Sequence, residues 1–107
     1  MTTITYKRYP KASLTIEGHS LAPRVSDHDL CCAAVSMLSC TIMQRIHDLA
    51  LNSKAIYSSD AYVHVEFAPL GKNGRRGMEA LNTVITGFKL LGEKYPDNIK
   101  ITGGKNE

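Results

Sequence analysis

The sequence predicts an α+β domain, a two-layer sandwich in which a mainly antiparallel sheet carries two helices in the order β-β-α-β-β-α-β. Three observations lead there. Short β-prone runs come in pairs joined by turn residues, as hairpins require. Two longer stretches place apolar residues at steps of three and four, the spacing of a helix with one buried face. The chain has 107 residues, 43% hydrophobic and 21% charged, with no repeat and no linker, so a single domain over residues 1–107 accounts for all of it.

Thr3 to Tyr9 is the first β-prone run, Pro10 to Ala12 its turn, and Leu14 to Glu17 a second strand ending at Gly18-His19. From Ser20 to His28 no period holds, and Pro23, Ser26 and Asp27 favour an irregular loop. A helix follows over Leu30 to Leu51. Its expected buried stripe is Leu30, Ala34, Met37, Leu38, Ile42, Ile46 and Leu49, with Cys32, Ser36, Ser39 and Met43 on a neighbouring face. Asp29 stands where an N-cap carboxylate would accept hydrogen bonds from first-turn amides, which puts Cys32 near the positive end of the helix. Lys54 to Ser58 and Tyr62 to Phe67, turning near Ser59-Asp60, form a second hairpin with one apolar and one wet face. Leu70 to Gly77 reads as a turn-rich basic loop. Met78, Leu81, Val84, Ile85, Phe88 and Leu91 then mark a helix that stops near Gly92 to Pro96, and Asn98 to Thr102 is the last strand.

Thirteen Lys and Arg against ten Asp and Glu leave a net charge of +3, which argues against generic nucleic-acid binding because many phosphate contacts need a concentrated basic face. Met1 to Lys11 lacks the apolar stretch of a signal peptide. The longest uncharged run, Leu30 through Gln44, is shorter than a membrane span and is interrupted by Ser36, Ser39, Thr41 and Gln44. These features lead us to expect a cytoplasmic protein with no membrane partner. Three cysteines, two of them adjacent at Cys31 and Cys32, fit free thiols in a reducing compartment better than a disulfide framework.

Polar chemistry concentrates in Gly18-His19, Asp27-His28-Asp29 and Cys31-Cys32. A cysteine nucleophile needs its thiolate, which the partial positive charge of a helix start favours. A histidine within hydrogen-bond reach can take the proton and later return it to a leaving group. His19 at a strand end and Cys32 at a helix start can meet across a short loop. Each also has a plainer reading, as a surface imidazole and a small buried hydrophobe. His28 is either the rival base or an exposed loop residue, while His47 and His64 fall on wet faces and need no role. Zinc is disfavoured because adjacent cysteines on a helix point apart and no Cys-x-x-Cys pair exists, so neither metal nor cofactor is expected. Cys40 reads as packing, and Phe67, Phe88, Val84 and Ile85 as core.

Gly18-His19-Ser20, followed by Asp29-Leu30-Cys31-Cys32-Ala33-Ala34-Val35-Ser36, resembles the Gly-His-Ala and Asp-[Ile/Val]-[Val/Cys]-Cys-Ala-[Ala/Gly]-x-Ser signature of the ribosomal-processing cysteine protease family, Prp. The order of elements and the segment from Gly87-Phe88-Lys89-Leu90-Leu91 through Tyr95-Pro96 extend the likeness across nearly the whole chain. The resemblance implies a cysteine endopeptidase that removes a short N-terminal extension from a large-subunit ribosomal protein, or a similar leader from a phage virion protein. Matched motif to motif, Cys32 would be the nucleophile and His19 the base, with Cys31 a bystander and Asp29 and Ser36 in supporting positions. The resemblance also implies a homodimer, no cofactor, and a leader with bulky aromatic residues just before the cut.

Substrate contact is expected from the loop Ser20 to His28, through Leu21, Ala22, Pro23 and Val25, and oxyanion donors from the helix-start amides around Cys32. Two departures stand out: Ser20 replaces the usual alanine, and the loop between His19 and Asp29 is one residue longer than the commonest spacing, a change a loop absorbs readily. The alternative function is a non-catalytic ribosome-associated or scaffold-binding module using the Lys72 to Arg76 loop and the Ser20 to His28 segment. On that reading Lys72, Arg75 and Arg76 are a dock for ribosomal RNA or an acidic partner; otherwise they are a solvated turn.

Overall fold

The computed structural model describes residues 2–18, 26–51, 53–58 and 62–103, with the backbone alone for 26–29 and 53–58. Its elements follow the expected order: β1 (Thr2–Lys7), β2 (Ala12–Glu17), α1 (Ser26–Asp48), β3 (Ser53–Ser58), β4 (Tyr62–Phe67), α2 (Gly71–Lys94) and β5 (Ile99–Gly103). The strands form one sheet in the order β3-β4-β2-β1-β5. Neighbours run antiparallel except β1 and β5, which are parallel with Ile4 opposite Ile101. α2 carries the chain back along the helical layer before β5 enters, which is why that pair shares a direction.

Alternation along the strands separates the two faces of the sheet. Ile4, Tyr6, Ala12, Leu14, Ile16, Val63, Val65 and Phe67 are all buried on one face. Both helices cover that face, and Cys31, Ile42 and Ile46 from α1 join Leu81, Val84, Ile85 and Phe88 from α2 in the same core. Full burial of a side chain such as Phe88 stabilises the fold by about 1.5–3 kcal/mol. The other face carries half-buried Thr3, Thr5, Ser13, Thr15, His64 and Glu66. There Thr15 Oγ1 and His64 Nδ1 share a hydrogen bond of 2.9 Å, and His64 Nε2 lies 3.4 Å from Glu66 Oε1. That bond, with Lys11 Nζ 3.5 Å from the same carboxylate, holds Glu66 below the usual carboxylate range.

Four expectations need correction. The stretch Leu70 to Gly77 is not a loop: α2 begins at Gly71. Its glycines serve close packing, since a Cβ at Gly74 would lie 2.7 Å from the Pro69 carbonyl carbon and one at Gly77 2.7 Å from Leu51 Cδ1 and 3.0 Å from Phe67 Cε2. Asn73 Nδ2 donates to the Leu49 carbonyl at 3.0 Å, tying the start of α2 to the end of α1. Secondly, α1 starts at Ser26, so Ser26 to His28 are helical and Asp29 lies inside the first turn, not at the cap.

Thirdly, the buried stripe of α1 is rotated in its first half. Leu30 and Met37 are 60% and 67% exposed, while Cys31 is buried and Val35 packs against the core. Cys31, Val35, Leu38, Ile42, Ile46 and Leu49 keep the same three-and-four spacing, and cysteine behaves as a small hydrophobe. Lastly, Cys40 is exposed. By length and composition the 19 residues Leu30–Asp48 could cross a membrane. Here their apolar stripe is spent on the core between helices and sheet.

Candidate active site

The strand register gathers several chain ends. Thr3 pairs with Glu17, Glu17 with Tyr62, Tyr62 with Ser58, and Thr2 with Ile99. The starts of β1, β4 and β5 and the ends of β2 and β3 therefore share one end of the sheet. α1 sets out near this end and α2 comes back to it, closing with the Tyr95 amide donating to the Leu91 carbonyl at 2.8 Å just before β5. Cys31 and Cys32 occupy the second turn of α1, at this pole. The opposite pole holds the end of α1 and the start of α2.

Successive helical side chains diverge by about 100°, so neighbouring cysteines meet opposite environments. Cys31 is 2% exposed and packs in the core. Burial pushes its thiol above the ordinary value, and a negative charge at the adjacent Cys32 adds to that, which disfavours the thiolate that a nucleophile needs. Cys32 is exposed, and Ser36, one turn later, is exposed as well. Any chemistry by this pair of thiols has to run through Cys32.

The early start of α1 changes how that thiol can be activated. The amides without an acceptor inside the helix are those of residues 26–29, about one turn before Cys32. The macrodipole falls off within the first turn, so a paired base matters more for Cys32 than its helical position does. The same shift moves the free amides away from Cys32, correcting the expectation that helix-start amides around it serve as oxyanion donors.

Among the described histidines, neither can be that base. His47 is exposed near the far end of α1, and His64 is bonded to Thr15 and Glu66 on the sheet face that the helices do not cover. The candidates are therefore His19 and His28. His19 and residues 20–25 lie outside the described residues, as do the side chains of Asp27, His28 and Asp29. The position of the chain is nonetheless informative: Gly18, the residue before His19, follows directly on β2 at the thiol pole.

One surface feature went unread in the sequence, and a second was read only in part. Leu30, Met37 and Leu90 are 60%, 67% and 61% exposed. Met37 and Leu90 also line an apolar furrow of about 430 Å³ between the helices, together with Ala34, Leu38 and Gly87. At the opposite pole Arg45 of α1 comes beside Lys72, Arg75 and Arg76 of α2. Nothing in the linear pattern links Arg45 with the others.

Comparison with curated proteins finds no match. Several solved structures share the fold. The essential ribosomal processing protease Prp from S. aureus, in complex with a substrate peptide, is 18% identical with a TM-score of 0.79, over 97% of this chain and 100% of that one. The same protease with a covalently linked product peptide is 19% identical with a TM-score of 0.80 and the same coverage. SMU.848 from Streptococcus mutans is 19% identical, with a TM-score of 0.68 over 96% of this chain and 93% of its own. At such identities the likeness is one of fold. Family membership comes from the sequence itself: the family described as Cysteine protease Prp matches residues 1–100, from before β1 into the start of β5, and to that family of cysteine proteases the chain belongs.

Proposed function

We propose that the protein is an endopeptidase that removes a short N-terminal extension from a large-subunit ribosomal protein, with Cys32 as nucleophile and His19 as general base. The observation that carries this reading is the division between neighbouring cysteines: Cys31 is buried, and Cys32 is exposed at the pole where β2 leads into Gly18. His19 takes the Cys32 proton as sulfur attacks the peptide carbonyl, and returns it to the leaving amine as the C–N bond breaks. The mature protein departs in that step as the new N-terminal amine, and water then hydrolyses the thioester, releasing the leader as a carboxylate and restoring the Cys32 thiol. The covalently linked product peptide of the S. aureus protease supports a covalent route here. Asp29 and Ser36 act as supporting residues, and the segment Ser20 to His28 contacts the leader.

A phage virion protein with a comparable leader is the runner-up substrate. A homodimer in the cytoplasm is part of the proposal, supported by the exposed Leu30, Met37 and Leu90 on the helical layer. The test is incubation with ribosomal and phage structural proteins bearing native leaders, read by mass spectrometry. Cys32→Ala and His19→Ala each lose cleavage by at least about a thousandfold, whereas Cys31→Ala retains it. Cleavage that survives Cys32→Ala overturns the assignment, and light scattering on the same samples reads the oligomer.

A further inference from the structure

The basic pole offers a second site, remote from the thiol. Arg45, Lys72, Arg75 and Arg76 converge on a groove of about 490 Å³ between the end of α1 and the start of α2, with Glu79 and Ala80 also in its lining. Among the described residues no carboxylate comes within ion-pair distance of these four cations. The first turn of α2 carries no acidic residue, and its N-cap, Leu70, makes no side-chain hydrogen bond. Lys72, Arg75 and Arg76 thus sit at the helix end where the macrodipole is already positive, and with Arg45 they face a single carboxylate, Glu79, which leaves an excess of positive charge in the groove. The helix start is pinned there by Gly74 against Pro69 and by the Asn73 bond to Leu49, so the cations are presented on a fixed frame.

We propose that this groove docks the phosphate backbone of RNA. Its lining sets four cations against one carboxylate, Glu79, with Thr83 neutral and Ala80 the apolar side chain, whereas docking of an acidic protein calls for an apolar centre inside a polar rim. Three of the four cations are arginines, whose planar forks grip phosphate oxygens in pairs. Contacts of this kind position a nucleic acid without reading its sequence. The choice of RNA rests on the ribosomal substrate proposed above: a protease acting on a large-subunit protein meets it beside ribosomal RNA, and the groove would hold the enzyme there while the opposite pole cuts.

The experiment is fluorescence anisotropy of the full chain with a labelled 20-nucleotide single-stranded RNA, repeated over a salt series. With four phosphates neutralised, log K falls against log salt with a slope near −2.8, a loss of roughly fiftyfold between 50 and 200 mM. Arg75→Glu, Arg76→Glu and Arg45→Glu each weaken binding by about fivefold or more. Arg45 lies on the other helix, so its effect is independent of any fraying of α2. Lys100→Glu, the same charge change on exposed β5, costs less than twofold. Equal losses at Lys100 and in the groove overturn the proposal, as does binding that ignores all three arginines, or competition by polyglutamate as strong as that by unlabelled RNA. Leader cleavage by the wild type is scored separately: RNA binding with this pattern and no cleavage fails the peptidase reading alone, and cleavage without RNA binding fails this one alone.

Discussion

At one end of the helical layer α1 begins and α2 finishes, and a buried cysteine stands next to an exposed one; at the other end α1 finishes and α2 begins, and four cations gather around a groove. The first pole takes Gly18 after β2 and Cys31, Cys32 and Ser36 of α1 from one stretch of sequence, 18 to 36. The second draws Arg45 from one helix and Lys72, Arg75 and Arg76 from another. A chemical signature written within a single segment is visible before the chain folds. A charged surface assembled across two helices is visible only in part: Lys72, Arg75 and Arg76 stand together in the chain, whereas Arg45 joins them only on folding.

The difference can be broken from either side. Gly74→Ala should have the largest effect on stability, lowering it by about 1–3 kcal/mol, because the new Cβ meets backbone at Pro69 and neither partner has a flexible end to move aside. Thermal melts measure it, and the damage should be felt first at the basic pole, as weaker protection of the Arg75 and Arg76 amides in hydrogen exchange. Unchanged stability would mean that α2 is not held against Pro69 as described.

At the thiol pole, Cys31→Ala should cost about 1 kcal/mol through the space it leaves in the core, with leader cleavage retained. Its thiol also carries a pH signature. Because the folded state holds the Cys31 pKa above its ordinary value, the unfolded chain sheds that proton first as pH rises. The stabilising contribution is therefore complete below the unfolded thiol's pKa and is lost as pH climbs through the folded one. Denaturant midpoints should drop on the alkaline side in the wild type and drop less in Cys31→Ala. Parallel alkaline limbs would show that the buried thiol is not the titrating group.

The smallest effect is expected at Met37→Gln. With Met37 67% exposed, stability of the folded monomer should change by no more than about 0.5 kcal/mol. The stripe read from the sequence, with Met37 in the core, demands several times that, so a dilute-solution melt separates the two registers of α1.

Linear information carried a good deal. The element order, the paired strands, the core positions Val84, Ile85, Phe67 and Phe88, and the Gly-His and Asp-x-x-Cys segments with their family resemblance were all legible, because β pairing through short turns and helical periodicity are local properties. What was decided only in three dimensions shares one cause: the same residues satisfy more than one local pattern, and packing picks between them. Two stripes of α1 with equal spacing competed until the sheet claimed Cys31 and left Leu30 and Met37 outside. Glycines that read as a turn at 74 and 77 became contact points for a helix, since only a residue without a side chain lets α2 approach Pro69, Leu51 and Phe67 so closely. Which cations share a groove followed from that approach, and which of two adjacent cysteines faces solvent followed from the register of α1 on the core.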